Sequence, residues 1–348
     1  MKPALLVTGH VSADRAGALR LLHERATIEL ALYGGPHQHG GPAVAPDGVP
    51  HRAVGQREVG ALVAGGGYRA VIVGTGGRVA LPLAWRAARA SGVPFIFWAA
   101  LWRTPRTAPH LLAVPLMRRI YREAAMIVTY GEHVSAYVRA QGASRVRVAP
   151  QSVDNAFWSA PAAPREDPRF AALFVGRPAR EKGLAVALEA WRRAGVDGTL
   201  TVVGGHGALP AGVIDVPAAD PTMLRNLYAR SDVLVVPSIA SRRFIEPWGL
   251  VVNEAMNQHT AIIASDAVGA AAGGLVRHGR NGLIVPAGDA GALAGALAAL
   301  AADRARAAAL GAAGRRDVAS YTHAAWADAF DGAIAAVSPT GTRGSVTS

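Results

Sequence analysis

At 348 residues, with 51% hydrophobic and 17% charged side chains, the chain is long enough for two domains of about 150 to 170 residues and too apolar for disorder. The absence of cysteine excludes a disulfide framework, a Cys-based metal site and a cysteine nucleophile, and it fits a reducing compartment. The net charge of +12 is uneven, since residues 1–160 carry 18 Lys and Arg against 8 Asp and Glu while residues 161–348 carry 18 against 16. That bias suits a phosphate-bearing acceptor or an anionic membrane surface, and no recognition motif for nucleic acid accompanies it.

In chain order, Lys2 precedes a short apolar run, Ala4 to Val7, that reads as a first strand rather than a signal peptide. Strands are also predicted at Ile28–Tyr33, Ala70–Val73, Phe95–Trp98, Met126–Tyr130 and Val146–Val148, alternating with helices in the pattern of a covered parallel sheet. Pro36 to Pro50 reads as a loop, and its His37 and His39 lack a third metal ligand. Pro109 to Ala124 reads as a helix bent at Pro115, with Arg118, Arg119 and Arg122 on it and Arg103 and Arg106 just before it. Ser159 to Pro164 reads as a linker between a first domain, 1–158, and a second, 165–322. In the second domain Phe170–Val175, Leu200–Val203, Val233–Val236, Ala261–Ala264 and Leu283–Val285 repeat the strand pattern, and Leu184, Ala187, Leu188 and Trp191 form a helical core stripe. Asp289 to Asp331 reads as helical, followed by a last helix at 323–337 and a disordered tail, 338–348. No run of about 18 apolar residues is present to span a membrane. A cytoplasmic protein is expected, with peripheral contact at the inner membrane face.

Two segments carry chemistry. The run Phe174-Val175-Gly176-Arg177 ends a strand on a glycine, and Lys182 is expected to open the next helix. Lys182 is informative because the only other lysine is Lys2; elsewhere positive charge is arginine, so a compact ammonium is wanted here. The run Glu246-Pro247-Trp248-Gly249-Leu250-Val251 through Glu254 follows a predicted strand, so it lies where open α/β sheets bind ligands. Two carboxylates eight residues apart can flank the free N–H groups of Gly249, Leu250 and Val251, which start a helix and suit phosphate. The glycine turns beginning at Gly74 and Gly205 fail the G-x-G-x-x-G dinucleotide fingerprint at Val79 and Pro210, so a dehydrogenase is not expected. The turn Gly74 to Arg78 reads either as a strand-to-helix connection or as an anion site. With no Asp-x-Asp motif, metal-independent chemistry without a cofactor is expected.

The ordered set Gly176-Arg177 with Lys182, Val236-Pro237-Ser238, Glu246-x7-Glu254, Ala264-Ser265-Asp266 and Gly282 to Pro286 resembles the retaining glycosyltransferases of family 4, glycosyl transferases group 1, over roughly residues 170 to 300. The resemblance implies the GT-B fold, α/β with two Rossmann-like domains whose parallel sheets face an interdomain cleft, and a last helix that packs back on the first domain. It implies a nucleotide diphosphate sugar as donor and co-substrate and a hydroxyl acceptor, which is a cell-envelope glycan, a lipid-linked or a small-molecule compound; the charge bias suits an anionic or lipid-linked one. Arg177 and Lys182 would then neutralise the diphosphate, Glu246 would bind sugar hydroxyls and Glu254 the ribose. Gly204 and Gly205 resemble the turn lining the nucleotide pocket, and Gly17 lies where a glycine loop reaches the diphosphate. A departure from the family is Trp98, at about the place of a histidine that points at the sugar; His110 or His133 could substitute, and Trp98 and Trp102 could stack on an acceptor or pack. A non-catalytic nucleotide-binding partner subunit is the alternative.

Overall fold

The computed structural model describes residues 2–34, 46–162, 165, 167–205 and 207–338. Among these residues the chain builds two wholly parallel sheets, one of seven strands and one of six. In the first half β1 (Ala4–Thr8), α1 (Ala13–Ala26), β2 (Ile28–Leu32), β3 (His51–Ala53), α2 (Val59–Ala64), β4 (Ala70–Gly74) and α3 (Ala80–Ala90) are followed by β5 (Phe95–Ala99), α4 (Ala108–Glu123), β6 (Met126–Thr129), α5 (Glu132–Ala140), β7 (Val146–Val148) and α6 (Asn155–Trp158). The second half comprises β8 (Phe170–Val175), α7 (Leu184–Ala194), β9 (Gly198–Val203), β10 (Val213–Val216), α8 (Pro221–Ala229), β11 (Val233–Val236), α9 (Val251–Asn257), β12 (Ala261–Ser265), α10 (Gly269–Ala272) and β13 (Leu283–Val285), then α11 (Ala290–Ala302), α12 (Arg304–Val318) and α13 (His323–Val337).

The strand orders are β3-β2-β1-β4-β5-β6-β7 and β10-β9-β8-β11-β12-β13. Each order reverses once, between β1 and β4 and between β8 and β11, and ligands bind such sheets beyond the carboxyl ends at that reversal. Sequences such as AVIVG, VLVV and AIIAS form central strands because they are almost wholly apolar and buried on both faces. In β1 the faces alternate: Leu5 and Val7 enter one core, Ala4 and Leu6 the other. The apolar stripe of α7 covers the second sheet, with Ala187 buried and Leu184, Leu188 and Trp191 packed against that core.

The end of the chain returns to the first sheet. On α13, Trp326, Phe330 and Ile334 join the core that α1 also covers. Arg25 of α1 donates to the Ala324 carbonyl at 2.8 Å and pairs with Asp328 at 3.2 Å, and Arg145 donates to the Ala336 carbonyl.

Several local expectations need correction. The edge strands β3 and β10 carry too little apolar pattern to be read, since HRA is exposed throughout and VIDV is half-exposed. Lys182 does not open a helix: Arg180–Lys182 is a single 3-10 turn, and α7 begins only after Gly183. Gly183 has φ +75, and a Cβ there would sit 2.0 Å from the Pro237 carbonyl oxygen, so position 183 requires glycine. The helical stretch after Asp289 is three helices, divided where Asp303 accepts from the Arg306 N–H and Thr322 from the Ala325 N–H. His37, His39, His206, part of the linker and the tail beyond 338 lie outside the described residues.

Candidate functional site

The loop leaving β8 and the loop leaving β11 meet at the reversal point of the second sheet. The Ile239 N–H donates to the Glu181 carbonyl at 2.9 Å, tying the 3-10 turn to the segment after β11. Above that tie Lys182 Nζ lies 2.5 Å from Glu246 Oε2, and Ser238 Oγ donates to the same oxygen at 3.4 Å. Glu246 is only 6% exposed, so loss of this partner would leave a buried carboxyl group without its ion pair. A Cβ at Gly176 would press on the Phe174 ring at 3.3 Å and meet the Lys182 Cβ only at ordinary contact distance, 3.5 Å. Arg177, expected beside Lys182, is instead held by Glu181 at 2.7 Å and is largely exposed. Both cations therefore carry carboxylate partners of their own.

The backbone of Glu246 is fixed from two sides. Its carbonyl accepts from the Gly269 N–H and from the Trp102 indole N–H, each at 3.1 Å, and the next carbonyl, of Pro247, accepts from His133 Nε2 at 3.1 Å. Trp102 and His133 belong to the first half, so the loop after β5 and the first turn of α5 grip the acidic turn of the second. The His133 ring stands edge-on to Trp102 at 5.2 Å and 6.0 Å from Trp248; burial holds its pKa down, which leaves a neutral imidazole donating through Nε2. Arg103 adds a bond to the Ser241 carbonyl at 2.6 Å, and the Arg106 N–H one to Arg242.

Beyond the turn, Gly249 adopts φ +90 and the chain enters α9 with Leu250 at its N-cap. Among the described residues the N–H groups of Gly249, Leu250 and Val251 have no acceptor within the chain. Trp248 Nε1 donates to Asn253 at 2.8 Å, and Asn253 in turn donates to the Gln151 carbonyl at 2.9 Å, which anchors α9 to the chain following β7.

Glu254, the second carboxylate read from the sequence, lies one turn into α9. It is 7% exposed and accepts from the Tyr228 hydroxyl at 2.6 Å. Burial, reinforced by the charge of Asp14 across the cleft, pushes its pKa up to about 8, against the opposing bond from Tyr228. The folded protein thus holds a proton that the unfolded chain releases from the ordinary carboxylate range upward. This group's stabilising contribution is complete below that range and is lost as pH rises toward 8. We expect Glu254→Gln to melt above the parent at pH 8.5 and the gap to narrow toward pH 5. Melting curves that stay parallel across this pH range would contradict the assignment.

The remaining sequence candidates fall as follows. Gly204 and Gly205 close the carboxyl end of β9, the Gly204 N–H bonding to Val216 and Gly205 adopting φ +71. Gly17 lies inside α1 rather than in a loop; a Cβ there would be 2.7 Å from His323 Nδ1, so its smallness serves the packing of α13. Trp98 packs edge-on against Trp326 at 5.7 Å and Phe330 at 5.4 Å. His110 is bonded to Thr107 at the start of α4, so of the two histidines His133 is the one at the acidic turn. In the turn after β4, Thr75 Oγ1 donates to the Trp98 carbonyl and accepts from the Ala100 N–H. Trp102 was legible only as an aromatic, and Tyr228 and Asp14 carried no sequence signal because their contacts are long-range. Among the described residues no group of three His, Asp or Glu side chains is placed to hold a metal ion, and no helix is long and apolar enough to cross a membrane.

Residues 169–303 match the model of the family described as Glycosyl transferases group 1. No curated protein sequence shows significant similarity to the chain. Among solved structures, HepE of Anabaena, crystallised with UDP and glucose, is similar with a TM-score of 0.73 and 15% identity, covering 96% of this chain and all of its own. A glycosyltransferase of Rickettsia africae is similar with a TM-score of 0.76 and 14% identity, over 97% and 99% of the two chains. Sucrose-phosphate synthase of Thermosynechococcus elongatus has a TM-score of 0.70 and 20% identity, over 94% and 96%. The two parallel-sheet α/β domains match GT-B glycosyltransferase structures.

Proposed function

We propose that the protein is a retaining glycosyltransferase of family 4 that moves a sugar from a nucleoside diphosphate sugar to a hydroxyl acceptor in the cleft between its sheets. The observation that carries this reading is the Lys182–Glu246 pair, 2.5 Å apart at the reversal point of the second sheet, beside the unpaired N–H groups of Gly249 to Val251. UDP with glucose in the structurally similar HepE, and the family match over residues 169–303, support a nucleotide-sugar donor.

In this reading the donor diphosphate takes Lys182 as its counter-ion and leaves Glu246 to accept from sugar hydroxyls. Arg177, exposed and held among the described residues by a neighbouring carboxylate, turns to the same diphosphate. The N–H groups of Gly249, Leu250 and Val251 meet phosphate oxygens, Gly176, Gly204 and Gly205 allow backbone close to the nucleotide, and Glu254 with Tyr228 meets the ribose. As the bond from C1 to the diphosphate oxygen breaks, the acceptor oxygen bonds to C1 on the same face, and the acceptor proton passes to the departing phosphate. Lys182, Arg177 and the N–H groups supply the counter-charge, so the reaction needs no divalent metal.

The acceptor is anionic or lipid-linked. On α4 the side chains of Leu111 and Leu112 are 53% and 82% exposed beside Arg106, Arg118 and Arg122, which suits contact with an anionic membrane at its cytoplasmic face. The test follows donor turnover by proton NMR, with a panel of nucleotide sugars in excess EDTA. Cleavage in EDTA with the α-configured product forming first is expected. An inverted product, or activity that needs Mg²⁺ or Mn²⁺, overturns the mechanism, and nucleotide binding without turnover overturns the assignment as an enzyme.

A further inference from the structure

At the carboxyl end of the first sheet a half-buried arginine, one of whose guanidinium nitrogens is sealed from solvent, lacks a salt-bridge partner among the described residues. Arg15, in the first turn of α1, lays its guanidinium 5.5 Å from the Trp98 ring and 5.1 Å from the Trp326 ring. Its Nη2 donates to Gln151 Oε1 at 2.6 Å, while Nη1 is sealed from solvent with no acceptor, and among the described residues Arg15 forms no salt bridge. Because a guanidinium cannot shed its proton, a buried one is costly unless something compensates it. Burial drives its pKa down.

The groups around it add donors. Gln151 is 2% exposed with Nε2 unpartnered, and Ser152 is 1% exposed with Oγ unpartnered. Both indoles beneath the guanidinium also bury N–H groups without an acceptor. The charged and titratable neighbours are Asp14, whose charge reaches Arg15 without pairing to it, Tyr130, and His323, which burial and Arg15 keep neutral. Asp154 acts on His323, and Glu254, protonated at neutral pH, contributes no compensating charge. The placement is coherent: Arg15 follows β1, Trp98 lies in β5, Tyr130 follows β6, and Gln151 and Ser152 follow β7. All stand at one end of the sheet, facing the cleft where Asp14 is felt at Glu254.

We propose that Arg15, with Gln151 and Ser152, forms an anion subsite that takes the phosphate or carboxylate group of the acceptor. Naming the anion as part of the acceptor rests on the transferase reading above; the subsite itself does not. A guanidinium fork with flanking donors fits an oxyanion, whereas a neutral sugar would leave the cation uncompensated.

Thermal unfolding and tryptophan fluorescence of the full chain, titrated with glucose, glucose 6-phosphate, glucuronate and dodecyl phosphate, provide the test. We expect the anionic compounds to raise the melting temperature and perturb the indoles under Arg15, and glucose to do neither. Preference for glucose 6-phosphate indicates a soluble acceptor, and preference for dodecyl phosphate a lipid-linked one. Arg15→Lys should weaken this binding on the order of tenfold, through loss of the bidentate fork, and Lys182→Ala should leave it unchanged. Should Arg15→Lys fail to fold, Gln151→Leu removes a flanking donor and gives the same comparison. No response of the parent to any anion overturns the subsite, as does a response abolished by Lys182→Ala and kept in Arg15→Lys, which would place the anion on the donor side. Anion binding that depends on Arg15 in a protein without donor turnover would sustain the subsite and sink the transferase reading.

Discussion

Replacing Lys182 by arginine is expected to slow sugar transfer on the order of 10²-fold, about 3 kcal/mol in the barrier, while the melting temperature stays close to the parent's. The ammonium of Lys182 is the sole side-chain cation within bonding distance of Glu246 among the described residues, at 2.5 Å. Arginine keeps the charge, so the buried carboxylate remains compensated and the fold survives; alanine would strand it, at a cost of about 3–5 kcal/mol. What arginine cannot keep is the reach. Its planar fork is longer and bulkier, and Lys182 sits on a 3-10 turn locked by Gly183 against Pro237, which leaves little room to adjust. Steady-state rates alongside thermal melts separate the two effects. Full activity in Lys182→Arg would mean that the compact ammonium is not required.

A second large effect is expected at Gly269, whose N–H bonds to the Glu246 carbonyl. A Cβ at this position would lie 1.9 Å from the Pro247 carbonyl oxygen and 2.8 Å from the Trp248 Cα, so Gly269→Ala must push the acidic turn aside. The displaced turn carries Glu246 on one side and the unpaired N–H groups of α9 on the other, and its bond from the Gly269 N–H to the Glu246 carbonyl is strained with it. We expect a loss of about 3 kcal/mol in stability, together with most of the activity. Gly295→Ala is the control: in the interior of α11, with nothing within 4 Å of the added methyl, it should raise stability by up to about 1 kcal/mol. Similar melts for the two variants would show that the turn tolerates displacement.

These two positions illustrate what sequence reasoning reaches. The central strands were legible because burial on both faces leaves runs such as VLVV without alternation, and Glu246 and Lys182 were legible because each follows such a run at a strand's carboxyl end. The partnership between them, 64 residues apart, was not, and neither was the Glu181 partner that holds Arg177. Glu254 reads in sequence as a carboxylate facing a cleft; only the fold brings Tyr228 within 2.6 Å and buries the pair. Gly17 resembled a ligand-loop glycine, yet its smallness is demanded by His323, a residue more than 300 positions away that no local pattern connects to it. Edge strands β3 and β10 escaped because exposure removes the apolar periodicity on which strand reading depends.

The central claim is that the reversal point of the second sheet binds a nucleoside diphosphate through Lys182 and the turn at Gly249 to Val251. The direct measurement is thermal stabilisation by a panel of nucleoside diphosphates, since a ligand at 100 times its dissociation constant adds about 2.7 kcal/mol to folding stability. The account predicts that one diphosphate raises the melting temperature of the parent by several degrees, and that Lys182→Ala abolishes the response. A parent protein whose melting temperature is unmoved by every diphosphate, or a response that Lys182→Ala leaves intact, would contradict it.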